Sequence, residues 1–181
     1  KKPLSKPVNI EKTPEGFPEN LNVTNVDLPT NRLFCTLVMP KRKPKKDEKI
    51  VTLAYLTGKG RSNDYLKGEK GPVWKETPGN LKPPPEVAEI VTKRYLSSPA
   101  KRALSEWIAE MEKRGVYVVC AFMSEIHTDK ENESKTWYND WNNPRTVQNS
   151  FNAVFDAIKK AVPTDEAGNS VKIKREFLLA G

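Results

Sequence analysis

Three short apolar runs, at residues 32–39, 49–56 and 116–123, constrain the fold of this chain most strongly. Each run carries apolar side chains on both of its alternating faces, whereas a strand with one wet face alternates polar and apolar residues. The run at 116–123 has no polar face at all. These patterns predict strands that are covered on two sides, with residues 116–123 as a central strand of the sheet.

The segment that joins the first two runs is short and strongly basic. Because strands with a short polar connection are most simply paired as neighbours, residues 32–39 and 49–56 are predicted to form an antiparallel hairpin. The basic residues would then lie at the tip of that hairpin.

Apolar residues recur at helical spacing in three later segments, residues 86–96, 100–111 and 147–158. Ser98 supplies an N-cap for the second of these helices, and Gly115 follows it as a C-terminal stop. Asn143, directly before a proline, opens the third helix. Residues 171–180 alternate apolar and charged side chains, which predicts a final half-exposed strand.

The predicted element order is ββ-αα-β-α-β. A strand, a helix and a strand at 116–180 favour a parallel crossover, whereas the hairpin is antiparallel. We therefore expect a single α/β domain over residues 31–181, with helices packed on a mixed sheet of about four strands; an α+β arrangement is the alternative.

Two segments lack the pattern of a regular element. Residues 1–30 contain five prolines and are interpreted as an extended arm that can lie across the domain. Residues 57–85 contain five glycines and five prolines, and so form a long loop. Long ordered loops in compact domains are often binding loops, which makes 57–85 the first place to search for a site.

The chain has a formal net charge of +8, which attracts phosphate backbones, anionic membrane surfaces or acidic protein faces. The longest apolar run is too short to cross a bilayer, so no membrane span is expected. Cys35 and Cys120 each lie inside an apolar run, which favours buried thiols and a reducing compartment. No apolar stretch follows the opening lysines, and the cytoplasm is the expected location.

Basic residues in two segments are the candidate nucleic-acid contacts. The candidates are Lys41, Arg42, Lys43, Lys45 and Lys46 at the expected hairpin tip, with Lys59, Arg61, Lys67, Lys70 and Trp74 in the long loop. Such cations can neutralise phosphates, and an exposed aromatic ring can stack on bases. A solvated turn explains the tip equally well, and the same letters also resemble a nuclear-localisation patch.

The loop at 124–143 contains the one group that resembles an active site. Glu125, His127 and Asp129 alternate and would share one side of an extended chain, offering two carboxylates and an imidazole to a hard divalent cation such as Mg²⁺. A metal held there could activate water against a phosphodiester. The competing interpretation is an ordinary polar loop with a structural histidine, in which case no cofactor is expected.

Three aromatic residues of the same loop are candidate partner contacts. Trp137, Tyr138 and Trp141 fall within five positions, and an exposed group of this kind can anchor an interface. Alternatively they pack on the following helix as a small satellite core.

Taken together, these features predict a basic accessory protein that acts by binding nucleic acid or an acidic protein partner, as a regulator or inhibitor. The alternative is a metal-dependent nuclease or phosphodiesterase that uses the cluster at 125–129. Motifs of small nucleic-acid-binding folds, such as a helix-turn-helix with a basic second helix, are not evident in the sequence.

Overall fold

The computed structural model describes residues 17–26, 28, 33–56, 67–68, 71–72, 99–125 and 143–180. The strands of this part are β1 (Leu21–Val26), β2 (Leu33–Pro40), β3 (Ile50–Leu56), β4 (Lys67–Gly68), β5 (Gly71–Pro72), β6 (Tyr117–Glu125) and β7 (Leu178–Ala180). Its helices are α1 (Pro99–Lys113) and α2 (Pro144–Ala161).

Five strands form one mixed sheet in the order β1-β2-β6-β3-β7, and β4 pairs with β5 separately. β2 is antiparallel to both β1 and β6, whereas β3 is parallel to β6 and to β7. The sheet with its two helices is a mixed α/β domain. This confirms the expected fold class, with one strand more than predicted.

The predicted hairpin of β2 and β3 is wrong, because β6 lies between these two strands. β6 is apolar on both faces, so it gains most burial from a strand on each side. Crossing one strand requires a span of only about 10 Å, since neighbouring strands lie about 4.8 Å apart. The nine residues 41–49 cover that distance easily.

The sheet is covered on both faces, as the three apolar runs predicted. One face carries Cys35, Leu37 and Met39 of β2 with Tyr117, Val119, Ala121 and Met123 of β6. These residues pack against Val154 and Ile158 of α2. The opposite face carries Val38, Val118, Cys120 and Phe122, which pack with Ile108 of α1. The two cysteines are buried on opposite faces, and burial raises the pKa of the Cys35 thiol.

Two helix boundaries lie where local signals predict them, the beginning of α2 and the end of α1. The Asn143 side chain accepts hydrogen bonds from the backbone N–H groups of Arg145, at 3.1 Å, and Thr146, at 3.2 Å, which caps α2. Gly115 follows α1 with a φ of 76°, a left-handed conformation that glycine adopts without strain. Neither described helix is long and apolar enough to span a bilayer. The predicted helix at 86–96 lies outside the described residues.

The two edges of the sheet differ from the sequence expectation. β1 comes from the segment interpreted as an arm, and its Leu21 side chain is fully buried. At the other edge, only Leu178–Ala180 of the predicted strand at 171–180 pairs with the sheet. Residues 171–177 run beside it without regular structure, although Val171, Ile173 and Phe177 contact the core.

Candidate functional site

The connection at residues 41–49 crosses the end of the sheet where β2 ends and where β3 and β6 begin. Its backbone is held at three points: the Lys41 N–H donates to the Asn20 carbonyl at 2.9 Å, the Lys49 carbonyl accepts from Tyr117 N–H at 3.2 Å, and the Pro44 carbonyl accepts from Glu166 N–H at 2.9 Å. Pro44 is buried. The basic segment is therefore docked on the domain and is not the tip of a projecting hairpin.

Arg42 is the centre of an internal ion-pair network. Its guanidinium binds Glu48 with two hydrogen bonds, Nη1 to Oε2 at 2.7 Å and Nη2 to Oε1 at 2.5 Å. Its Nε donates to Glu112 Oε1 at 3.1 Å. The Glu48 side chain is only 3% exposed, so this pair is shielded from water on the carboxylate side. Arg42 thus satisfies its charge within the protein.

Tyr117 and Asn20 complete this network. The Arg42 guanidinium lies 5.3 Å from the centre of the Tyr117 ring, a cation–π arrangement. The Tyr117 hydroxyl lies 3.2 Å from the carbonyl oxygens of both Pro40 and Arg42, and its single hydrogen can be donated to either. The Asn20 amide donates to Glu112. The Arg42 guanidinium in this way links the end of β2 and the beginning of β6 to helix α1.

Ionisation in the network follows from these contacts. Burial alone would raise the pKa of Glu48, but hydrogen bonds from Arg42 and from Lys45 N–H, together with the Arg42 charge, hold the pKa below its ordinary value. The Glu48 hydrogen bond in turn raises the pKa of Arg42. Burial raises the pKa of Tyr117 to about 12. All three groups therefore keep one charge state across neutral pH.

The lysines of the same connection point to solvent. We name Lys41, Lys43, Lys45 and Lys46 the connection lysines; all four are exposed. Of these four lysines, only Lys43 has a side-chain contact with a described residue outside the connection. Its Nζ donates to the Thr164 hydroxyl at 3.5 Å. Asp47 is exposed beside them with a φ of 61°, at the turn that returns Glu48 to Arg42.

Further basic residues reach this end of the sheet from the two helices. The carboxyl end of α1 lies here because Glu112 contacts Arg42, and the carboxyl end of α2 leads into Thr164 beside Lys43. Each helix ends in exposed cations: Lys113 is the last residue of α1 and Arg114 follows it, and Lys159 and Lys160 lie in the last turn of α2. Lys113 and Arg114 are partly neutralised by Glu110, at 3.3 and 3.6 Å.

A groove of about 810 Å³ opens next to the connection, between β3 and the segment that leads to β7. We name it the β3 groove. Its described lining consists of Glu48, Lys49, Ile50, Val51, Thr52, Lys172, Lys174, Glu176, Phe177 and Leu178. Its size falls within the range of about 300 to 1,000 Å³ that is usual for ligand sites.

The β3 groove exists because α2 holds the segment before β7 away from the sheet. The Phe177 ring packs against Phe151 and Phe155 of α2, with ring centres 4.6 and 4.3 Å apart. Arg175 donates to Asn152 at 2.9 Å. β7 consequently pairs with β3 only from Leu53 onward. Within the described part of the chain, no strand pairs with Ile50–Thr52 on this side.

The charges of the β3 groove are mostly positive. Lys49, Lys172 and Lys174 are exposed along it. Glu48 also lines the groove, but it is already paired with Arg42. Among the described lining residues, this leaves the carboxylate of Glu176 to balance the three lysines. The mouth of the groove therefore attracts negatively charged groups.

The structure brings together only part of the predicted site. Lys41, Lys43, Lys45 and Lys46 are all exposed on one short connection, whereas Arg42 is engaged within the domain. Lys67 lies in β4, and its side chain is outside the described set. The other predicted contacts lie outside the described residues: Lys59, Arg61, Lys70, Trp74, Trp137, Tyr138 and Trp141.

The predicted metal cluster stays a prediction. Glu125 ends β6 opposite Leu33, at the other end of the sheet from the connection lysines. His127 and Asp129 lie outside the described residues. Among the residues that are described, no group of three or more His, Cys, Asp or Glu side chains could hold a metal ion.

Sequence reasoning missed several residues of the candidate site. Glu112 and Tyr117 contact Arg42 from a distant part of the sequence, and Lys172 and Lys174 were interpreted only as the wet face of a strand. One local signal was available for the network: Glu48 lies six positions after Arg42, beyond a turn that ends in Asp47. No local signal indicates that residues 172–178 face the beginning of β3.

Comparison with known proteins does not assign a function. No family model matches the chain, and neither the curated proteins nor the solved structures contain a match.

Proposed function

We propose that this protein acts by binding an anionic macromolecule, with nucleic acid as the favoured partner, through the connection lysines. The observation that supports the proposal is the combination of four exposed lysines on a backbone docked at three points. A docked segment loses little conformational freedom on binding, so its charges contribute more of their attraction to affinity.

The chemistry of this surface favours phosphate contact over base recognition. Lysine ammonium groups are compact charges without the planar fork that reads guanine, and the one arginine of the segment is engaged with Glu48 and Glu112. Each lysine that meets a phosphate releases condensed counterions. We therefore expect binding that is independent of sequence and strongly dependent on salt.

Paired substitutions test this proposal. Lys41→Ser with Lys43→Ser, and Lys45→Ser with Lys46→Ser, each remove two charges from the surface while leaving Arg42 in place. Affinity for an unrelated duplex, measured by fluorescence anisotropy over a salt series, should fall for both variants. The slope of log K against log salt should become shallower by about one to two units per variant, since each phosphate contact contributes about 0.9.

The matched control removes two exposed charges elsewhere. Arg102→Ser with Arg145→Ser changes the net charge equally, at the amino-terminal parts of α1 and α2. This control should keep the slope of the unaltered protein. Equal losses in the control and in the lysine variants would show that only net charge matters, and would overturn the role of the connection lysines.

A further inference from the structure

We infer that the β3 groove binds an extended peptide segment with alternating acidic and apolar side chains, which adds as a short strand to Ile50–Thr52. This inference concerns a second surface, with a different class of partner from the one proposed for the connection lysines. It is carried by three properties of the groove: an unpaired stretch of strand, an excess of lysines and an apolar floor.

The first property is the unpaired stretch of β3, Ile50–Thr52. Continuing the register of β3 and β7 backward from Leu53 and Leu178 would place Thr52 opposite Phe177. Phe177 is instead turned onto α2, so the backbone groups of Ile50–Thr52 on that side have no strand partner in the described region. Addition of an extended peptide to such an edge satisfies these groups with ladder hydrogen bonds.

The lysines of the groove are the reason to expect acidic side chains in the peptide. Lys49 stands at the beginning of β3, and Lys172 and Lys174 stand across from it on the segment before β7. Because Lys172 and Lys174 are two positions apart and both exposed, they lie at the spacing of alternate side chains on an extended peptide. Two acidic residues at that spacing can each face one lysine.

The apolar floor of the groove is the reason to expect apolar side chains in the peptide. Ile50, Val51, Phe177 and Leu178 contribute apolar surface to the groove, and Leu178 is 56% exposed. A peptide in extended conformation directs successive side chains to opposite sides, so its apolar residues can cover this surface while its acidic residues reach the lysines. A phosphate backbone would leave the apolar surface wet and would meet the Glu176 carboxylate.

The probe is a fluorescein-labelled peptide of alternating glutamate and valine, about eight residues long, titrated with the full chain. Lys172→Glu with Lys174→Glu should weaken its binding at least tenfold, which corresponds to about 1.4 kcal/mol. The matched control is Lys45→Glu with Lys46→Glu, which makes the same change in net charge and should alter peptide affinity less than threefold. A peptide of alternating lysine and valine should bind the groove variant better than the unaltered protein.

Hydrogen exchange tests whether the peptide adds as a strand. The amides of Ile50–Thr52 that face the groove should exchange more slowly in the presence of the acidic peptide, whereas those of β1 should not change. Peptide binding without this protection, or binding that the groove variant leaves unchanged, overturns the inference.

The same variants separate this inference from the proposed function. Nucleic-acid binding should weaken in the Lys45 and Lys46 variants and change much less in the Lys172 and Lys174 variant, and peptide binding should show the reverse. An oligonucleotide that competes with the peptide and depends on Lys172 and Lys174 would make the groove a nucleic-acid site and would overturn the inference. Failure of duplex binding alone would leave the peptide result standing.

Discussion

At the scale of single residues, the most informative feature is that the arginine and the lysines of the basic run at 41–46 have different surroundings. Arg42 is engaged by Glu48 and Glu112, whereas the neighbouring lysines stay in water. The planar guanidinium offers five donors in a fork and can serve two carboxylates and a ring face together, which a lysine cannot do. In this run, the arginine contributes to the fold, whereas the exposed lysines form the surface that we propose as the binding site.

Glu48→Gln should destabilise the fold by about 2 to 4 kcal/mol at neutral pH, because it leaves the partly buried Arg42 without its bidentate partner. Chemical denaturation measures this free energy of unfolding. Glu106→Gln is the control, since Glu106 forms an exposed pair with Arg102 and its loss should cost about 0.5 kcal/mol or less. Equal costs for the two variants would contradict a structural role for the network.

The pKa of Glu48 predicts how this effect depends on pH. Its folded-state pKa lies below its ordinary value of 4.5, so the contribution of Glu48 to stability is complete above that value and is lost as the pH falls through the lower, folded-state pKa. The stabilities of the unaltered protein and of Glu48→Gln should therefore begin to converge as the pH falls below the ordinary value of 4.5. A difference that stays constant down to pH 3 would contradict this linkage.

At the scale of elements, helix boundaries follow from local chemistry, whereas strand boundaries do not. Asn143 caps α2 and Gly115 ends the turn after α1, both within reach of the signals in their own segments. The segment at 171–177 has the alternation of a strand, but Phe177 and Arg175 bind α2 and keep most of it off the sheet. The choice between these two partners is made by packing and not by the pattern.

Asn143→Ala should lower the free energy of unfolding by about 1 kcal/mol, because the two N–H groups that its side chain accepts from lose their partner. Thermal unfolding followed by circular dichroism measures the loss. Asn143→Asp keeps the accepting oxygen and should retain most of the stability, so a loss as large as that in the alanine variant would argue against capping as the cause.

At the scale of the whole molecule, the sheet is built from strands that come from both ends of the sequence. β1 closes one edge and β7 the other, while β6, buried on both faces, holds the centre. The edges are unequal. Leu21 on β1 is fully buried, whereas Leu178 and Leu179 on β7 are 56% and 67% exposed.

Leu21→Ala should therefore destabilise the domain by about 3 kcal/mol, as truncation of a buried leucine does. The control at the opposite edge is Leu178→Ala, which should cost less than about 1 kcal/mol because its side chain is already half in water. Urea denaturation of both variants checks the comparison. Similar costs at the two edges would show that β1 is not part of the core.

The sequence by itself determined the elements whose causes are local: the apolar runs of β2, β3 and β6, the two described helices with their Asn143 and Gly115 boundaries, and the excess of positive charge. Burial on both faces is readable from residue type, and capping from residues a few positions apart. Only the tertiary structure decided that β6 separates β2 from β3, that Arg42 meets Glu112 and Tyr117, and that Lys49 and Lys172 line one groove. These contacts join residues far apart along the chain, where the choice of partner depends on which arrangement buries the most surface and pairs the most buried charge.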